Sequence, residues 1–547
     1  MLAQIYRGGN EIGNHTYTHP DLENQPNLRL MFELNITRII IESQTHHDTR
    51  LFRPPYLGSD DPPNNAIDLI GQVGNLGYIT VGSDIDTNDW RKPGVGKIVS
   101  AAKGNSSAVI LFHDGGGDRH QTVAALPQVI DYYQRLGYRF DTVSQALQIP
   151  QSQVMPALGT TDSVIASVAL VLFTIWNWAN WIIKALIITV ITASFIRVIV
   201  VSTAAIIQYR RRRYPPLPES LPLASVIIPA YNEQTVILSC IRSILDSAYP
   251  NLEVIVVDDG SKDNTAARAM TIKDPRLQVL SKPNGGKARA LNFGIRHSRG
   301  SIIIAIDADS IFRRSTIARL VRHFSNPRVG AVSGNTKILN RQKLITRLQS
   351  LEYIIGFNLD RRLGDLLDCI TVVPGAIGAF RRSALYEIGG FRPDTLAEDT
   401  DLTIAIKEAA WKIVYDDEAI AYTEAPSRLS QLLKQRYRWT FGTMQAVFKH
   451  RRSLFNRHMG TLGLIGLPYL LFYQIAFPMI SPFFDLSLII GLLTHQYHLV
   501  VVSFVVFTVL DLFASVLAFR LDGEPLTSLW ILIPQRIVYR QLMYYVI

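Results

Sequence analysis

Three apolar runs of strand length each end in acidic residues. Residues 225–229 lead into AYNE (230–233), 253–257 into DDGS (258–261), and 301–306 into DADS (307–310). A single aspartate in such a place usually caps the helix that follows. Three together mark the crevice past the carboxyl ends of parallel strands, where open α/β sheets bind ligands. Asp307 and Asp309, two apart at one strand end, can both face a hard cation, and a cation held there bridges diphosphate oxygens. The stretch KPNGGKARALN (282–292) adds pliant backbone and the ammonium of Lys287, which suits a phosphate. A nucleotide diphosphate fits this arrangement. Far upstream, GNHTYTHPDL (13–22) sets His15 and His19 four residues apart. Two imidazoles at that spacing can share a metal ion, but in a chain with 12 histidines one such pair by itself proves little.

These residues need elements to hold them. From about 223 to 455, strand-like runs at 225–229, 253–258 and 301–306 alternate with helical patterns, the signature of a doubly wound α/β domain. A Pro-rich hinge, YPPLPESLP (214–222), precedes it. Residues 1–150 alternate short apolar strands (79–81, 108–112) with a helical stretch (123–136) and read as a separate soluble α/β unit, closed by a polar linker at 151–162.

A chain of 547 residues, 48% hydrophobic and 18% charged, with mean hydropathy +0.14, is multidomain and carries lipid-facing segments. That composition excludes intrinsic disorder. The two cysteines, Cys240 and Cys369, exclude a disulfide framework and a zinc finger. The membrane segment at 163–208 predicts one span starting at the belt of Trp176, Trp178 and Trp181. Residues 164–175 would then lie in the interface, and Arg197 would face protein rather than lipid. In the C-terminal region, 460–547, apolar blocks near 461–483, 486–519 and 527–547 are interrupted by Asp485, His495, His498 and LDGEP (521–525). They predict about three further spans, the last of them reaching Ile547 with no polar closing segment.

VVPGAIGAFRR (372–382), AEDTDL (397–402) and QRYRW (435–439) follow the strand-end acids in that order. With them, residues 223–450 resemble an inverting, processive family-2 glycosyltransferase of the kind that makes cellulose, chitin, hyaluronan or poly-N-acetylglucosamine. The resemblance implies a GT-A type, Rossmann-like nucleotide-diphospho-sugar transferase domain. It also implies that Asp259 contacts the uracil, and that Asp307 and Asp309 hold UDP with Mg²⁺ or Mn²⁺, Asp309 on the metal. Asp399 of the Glu398–Asp399 pair would be the general base, with Gln435, Arg438 and Trp439 forming the QxxRW motif at the acceptor and diphosphate. The chemistry asks for these types. Attack of a sugar hydroxyl on an anomeric carbon needs a carboxylate to take its proton and a cation to stabilise the departing diphosphate. An indole suits the CH face of a pyranose, and a guanidinium forks onto phosphate.

After His15 and His19 come RPPY (53–56), DTNDW (86–90) and LFHDGGG (111–117). This set resembles the later motifs of a polysaccharide deacetylase, a divalent-metal esterase on a distorted (β/α) barrel. It implies Zn²⁺ or a similar ion on His15 and His19, His113 as general acid, Arg53 and Asp89 orienting the catalytic carboxylate and its neighbours, and Trp90 lining the acetyl pocket. The opening TFDDGP-like motif of that family, source of its base and third metal ligand, does not occur before His15. A partial barrel with an inactive metal site is therefore expected in this chain, since the candidate stand-ins, Asp48 and Asp60, do not lie at strand ends. The two halves together resemble a bacterial fusion of polysaccharide deacetylase and family-2 glycosyltransferase, which implies N-acetylhexosamine units and UDP-N-acetylglucosamine as donor. A synthase of an unacetylated glucan, or a transferase acting on a lipid carrier, stays open.

The net charge of +10 is local rather than general. Residues 1–160 hold 12 Lys and Arg against 16 Asp and Glu, leaving a surplus of +14 beyond them. The basic clusters at 210–213 and 449–452 flank the central domain beside apolar stretches, the cytoplasmic-flank pattern of a multi-pass membrane protein rather than a nucleic-acid surface. The expectation is a bacterial inner-membrane protein with the transferase in the cytoplasm and residues 1–160 outside. Its partners are then a UDP-sugar, a growing polysaccharide and the bilayer, with no nucleic acid; export or accessory subunits are not legible.

Overall fold

The structure, a computed structural model, describes residues 1–22, 25–56, 64–104, 108–493 and 497–546. Asp60 and His495 lie outside the described residues. The chain divides into two compact units, Met1–Ile183 and Lys184–Ile547. Their boundary falls inside a helix of 52 residues, Thr160–Arg211.

The first unit sets helices Asn27–Thr45, Asn64–Asn75 and His120–Arg135 around two parallel strand pairs. Leu51–Phe52 pairs with Ile79–Thr80, and Ile85–Asp86 with Ile110–Leu111. Each strand is two residues long, so the described residues show pieces of a β/α architecture and no closed barrel. The expected linker at 151–162 is corrected. Val154 and Met155 are buried against Ile12, Ile41 and Leu51, and the Arg50 N–H donates to the Val154 carbonyl at 2.8 Å. Val154, Met155, Ala157 and Leu158 are too few and too clustered to show a period, so this closing segment reads as polar.

The long helix contains neither Pro nor Gly between Ser163 and Arg211, and it runs unbroken through 164–175. Those residues therefore do not form the separate interfacial segment expected. At 1.5 Å per residue the helix is ~78 Å long, well over the ~30 Å apolar core of a bilayer. Pro215 and Pro216 follow its end, where a missing N–H and a fixed φ prevent continuation.

The second unit is built on an eight-stranded sheet. Its strands in chain order are β1 (Ala224–Ala230), β2 (Leu252–Asp258), β3 (Leu277–Ser281), β4 (Ile302–Ala305), β5 (Ile311–Phe312), β6 (Val329–Ile338), β7 (Gly378–Arg381) and β8 (Lys412–Thr423). They lie in the order β3-β2-β1-β4-β7-β6-β8-β5. Strands β1 to β4 pair in parallel, β7 is antiparallel to both β4 and β6, and β6 is parallel to β8. The ends of β1, β2, β4, β6 and β8 thus meet on one edge. Alternate side chains feed two cores. Val226, Val254, Val256 and Ile304 enter one, while Ile227, Ile255, Val257 and Ile303 enter the other. A sheet buried on both faces reads as a continuous apolar run, which is why these strands were legible. Each such side chain contributes ~1.5–3 kcal/mol by burial.

Among the described residues two further segments are long and apolar enough to cross a membrane, Leu462–Phe483 and Phe504–Asp522. The expected third C-terminal span at 527–547 is corrected: a 3-10 stretch, Leu526–Ile531, is followed by short helical pieces that end at Met543. Arg536 and Arg540 there turn toward Asp511 and Asp485, at 3.3 and 3.8 Å. Arg197 does face protein. Its guanidinium lies 3.1 Å from Asp360 and donates to the Tyr469 hydroxyl at 2.8 Å.

Candidate active site

A cavity of about 630 Å³ opens at the carboxyl edge of the sheet. Glu233 follows β1, Asp259 follows β2, Asp307 and Asp309 follow β4, and Glu424 follows β8; all line it. Lys287, Glu398 and Asp399 line it too, as do Gln435, Arg438 and Trp439. The structure therefore brings every transferase residue named from the sequence to one cavity.

Asp259 is almost wholly buried, and its carboxylate is occupied by its own chain. It accepts from the Gly285 and Gly286 N–H groups at 3.0 and 2.7 Å and pairs with Lys282. Gly286 has φ +86°, a backbone that a Cβ would strain, so the loop over Asp259 needs glycine there. The loop ends at Lys287, first residue of the helix Lys287–His297. Its ammonium lies 2.6 Å from Asp307 and 3.2 Å from Glu398. Burial opposes that charge, but the two carboxylates outweigh it and hold the ammonium pKa above its ordinary value.

Negative charge is in excess here. Burial, and then Asp307 beside it, push the Asp309 carboxyl up to about 6. Burial, followed by Asp309 and Asp307, pushes Glu233 up to about 7. Carboxylates that repel one another in this way fit a hard cation. Among the described residues no three His, Cys, Asp or Glu side chains are grouped for a metal. Asp307 and Asp309 offer the oxygen donors that a hard divalent cation takes.

Asp399 lies in the first turn of the helix Glu398–Glu408 and faces the cavity. Burial, then neighbouring Glu398, push its carboxyl up to about 6. Its oxygen accepts from the Thr400 N–H at 2.8 Å, which fixes the rotamer. The Thr403 hydroxyl donates to the Asp399 carbonyl at 2.6 Å and accepts from the Val373 N–H, tying Asp399 to the VVPGAIG segment.

Gln435, Arg438 and Trp439 lie on the helix Leu429–Lys449. A Cβ on Gly442 would come within 2.5 Å of the Ala397 nitrogen, so this helix packs directly on the residue before Glu398. The Trp439 ring stands 5.9 Å from Phe357 and 6.3 Å from Tyr353, an aromatic wall suited to a sugar face. Sequence reasoning missed three residues. Glu233 closes a quoted motif but carried no assigned role. Glu424 has no motif around it. Arg361 lines the same cavity with its guanidinium 5.7 Å from the Phe357 centroid, and nothing in the charge-rich LDRRLGD marked it out.

In the first unit His15 and His19 approach with ring centroids 4.9 Å apart, and His15 Nδ1 lies 2.7 Å from the Arg53 carbonyl oxygen. Burial lowers the His15 pKa. Asp89 is buried and grips His113, its Oδ1 at 2.8 Å from Nδ1 and its Oδ2 accepting the backbone N–H at 2.9 Å. Arg53 donates to the Val81 carbonyl and the Ser83 hydroxyl, and Trp90 is half exposed beside Arg91. Asp48 lies beside Glu42, which burial raises, and joins no three-ligand group with the histidines. Two imidazoles alone do not fit the Zn²⁺ centre that the resemblance implies.

Sheet and cavity together define an α/β domain with an acid-lined site at the carboxyl edge of its strands. Residues 225–389 match the family model for glycosyl transferase family 2, and residues 1–73 match that for polysaccharide deacetylase. The chain carries a family-2 glycosyltransferase domain behind a segment of a polysaccharide deacetylase. Among curated proteins, a poly-beta-1,6-N-acetyl-D-glucosamine synthase of Staphylococcus epidermidis is 30% identical over 229 residues, 41% of this chain and 55% of the relative. One of Staphylococcus aureus strain COL is 29% identical over 226 residues, with the same coverage. The chain thus spans about half the length of the relatives it matches. A solved mannosyltransferase of Pyrobaculum calidifontis, in complex with GDP-Man and Mn²⁺, covers 62% of this chain and 98% of its own at 24% identity and TM-score 0.48.

Proposed function

We propose that this chain is a membrane-embedded inverting glycosyltransferase that polymerises a β-linked polysaccharide from UDP-N-acetylglucosamine. The observation that carries this reading is the gathering of Asp309, Asp399 and the QxxRW helix around one cavity. The synthases named above support the sugar. Asp399 takes the proton of the acceptor hydroxyl as it attacks the anomeric carbon, and its raised pKa makes it the stronger base. Lys287 and Arg438 meet the diphosphate, and Trp439 with Phe357 holds the acceptor ring. Asp307 and Asp309 hold the divalent cation, which when bound stabilises the departing UDP.

The transferase domain is read as cytoplasmic, since 210–213 and 449–452 flank it with basic residues; the deacetylase segment is read as extracytoplasmic, in a bacterial inner membrane. An N-deacetylase at that face acts on an exported N-acetylated chain, which is consistent with the donor. Membranes carrying the chain, given labelled UDP-sugars, test the whole. Polymer made from UDP-N-acetylglucosamine and cut by a β-1,6-specific glycosidase is the expected product; polymer from UDP-glucose alone, or transfer of one sugar to a lipid, overturns it.

A further inference from the structure

Arg361 lies on the helix Asn358–Leu366, is partly buried and lines the acidic cavity beside Phe357. Its Nη1 approaches the Gly334 carbonyl at 3.5 Å, the outer limit of a hydrogen bond, and it makes no ion pair among the described residues. Asp360, next to it in the chain, is committed to Arg197 and the Tyr469 hydroxyl. A guanidinium withdrawn from water without a carboxylate of its own is costly. Burial lowers its pKa, and its neighbours, Asp399 and Asp360 among them, offset that only in part.

Two further groups lining the cavity are unsatisfied. Gln435 Oε1 is shut off from water and has no hydrogen-bond partner among the described residues. The same holds for the hydroxyl of Thr336, near the end of β6 and only 4% exposed. Buried polar atoms are normally paired, so unpaired ones around a cavity point to a ligand that pairs them. The two helices that carry Gln435 and Arg361 meet through their aromatic rings. Gln435 stands one turn before Trp439 and Arg361 one turn after Phe357, and those rings are 5.9 Å apart. Thr336 is two residues past Gly334, whose carbonyl Arg361 approaches. An unused acceptor and unused donors therefore flank the wall that suits a sugar face.

A phosphate offers acceptors alone and leaves Gln435 Oε1 as it is. An acetamide presents one N–H and one carbonyl, and answers both. We propose that Arg361 and Gln435 read the acetamido group of the acceptor's terminal sugar, Arg361 donating to its carbonyl and Gln435 accepting its N–H, with Thr336 on a ring hydroxyl. This rests on the reading of Asp399 as the base and of Trp439 as the acceptor platform. The same arrangement rejects a deacetylated end. An ammonium in place of the acetamide meets the guanidinium, a like charge, and leaves its donors unused. Chain ends that have lost their acetyl groups are then poor acceptors, so deacetylation must follow extension.

The test uses the full chain in nanodiscs with UDP present and titrates three β-1,6-linked oligomers of equal length: of N-acetylglucosamine, of glucose, and of glucosamine with its amines protonated. Wild type should bind the acetylated oligomer about tenfold more tightly than the glucose one, the size of one charge-assisted hydrogen bond, and the amine oligomer most weakly. Arg361→Met should weaken the acetylated oligomer about tenfold and tighten the amine one. Arg361→Lys keeps the charge and should go on rejecting the amine. UDP affinity should be unchanged in both variants, which also reports that they fold. Wild type that binds the three oligomers alike, or binds none, overturns the proposal, as does an unaltered ranking in Arg361→Met. A fall in UDP affinity in both variants overturns it too, because Arg361 would then belong to the diphosphate. Polymer formation from UDP-N-acetylglucosamine is measured on the same wild type: its absence counts against the proposed function, whereas polymer without the ranking counts against this site alone.

Discussion

The acidic edge of the eight-stranded sheet and the histidine pair of the first unit both gather side chains that favour metals, but they are supported differently. Strands β1 and β2 are seven residues each and feed cores on both faces, so the carboxylates beyond them sit on rigid stems. The histidines stand on loops beside strands of two residues. Both carry a positive φ or a neighbour that does, Thr16 at +66° and His19 at +55°, conformations that cost energy unless the surroundings impose them. A site held to a fraction of an ångström needs elements behind it, and that is what separates the two regions.

The contrast breaks at once if the transferase cavity is not where the proton moves. Asp399→Asn should lower polymer formation by about a thousandfold while leaving UDP binding intact, since losing a base spares the nucleotide. Labelled-sugar incorporation and UDP titration on the same membranes measure the two. Near-full turnover in this variant removes Asp399 from its role. Asp309→Ala should act on the other quantity, weakening UDP binding by roughly 10–100-fold and blunting its response to added Mg²⁺ or Mn²⁺.

The pH profile sharpens the same point. A carboxyl raised to about 6 is ionised above that value and protonated below it, so kcat/KM should be level near pH 7.5 and fall as pH drops through 6, about tenfold per unit further down. The residual rate of Asp399→Asn should lack that limb. A wild-type profile flat to pH 5 means the base is another group.

Much of this edge was legible because each acid follows an apolar run and a two-faced sheet leaves such runs uninterrupted. What was not legible is long-range or singular. Glu424 and Arg361 reach the cavity from a strand end and a helix that carry no pattern of their own. The buried Arg362, which bonds Asn358, Gln208 and Asp417, links residues more than 150 apart, and no periodicity reports that. In the first unit the motifs were legible as a list, and the structure brings His15 to His19 and Asp89 to His113. Strands 79–80 and 110–111 fall inside the apolar runs 79–81 and 108–112, which extend past the hydrogen-bonded pairs, whereas 51–52 and 85–86 carry no run long enough to mark them.

A smaller effect tests whether the helix that carries Asp399 is as firmly held as its position suggests. His450 lies 2.9 Å from Asp401 and 2.8 Å from Glu408, both on the helix of Asp399. Burial disfavours its charge, but those carboxylates outweigh burial and raise it to about 9. A raised histidine adds stability that is complete below its unfolded value near 6.5 and is lost as pH rises through 9. Melting of wild type in detergent should therefore fall between pH 7 and 9.5. His450→Gln should melt lower by ~1–3 kcal/mol at pH 7 and show a shallower fall. Equal pH slopes in the two proteins would detach His450 from the helix.

The smallest expected effect is on the other side of the comparison, where zinc should do almost nothing. His15 and His19 face each other, but no third ligand stands with them among the described residues, and His113 is already committed to Asp89 through Nδ1. Structural and catalytic zinc sites take at least three protein ligands, and a pair without a third holds the ion loosely and leaves no carboxylate to activate water. Stoichiometric Zn²⁺ should thus shift the melting of this chain by less than about 1 kcal/mol, and His15→Ala should leave even that unchanged. Acetate release from an N-acetylglucosamine oligomer should stay at the level of a metal-free control. Tight zinc binding lost in His15→Ala, or zinc-dependent acetate release, would show that loops on short strands can assemble a working centre here. The difference in strand support would then no longer separate the two regions.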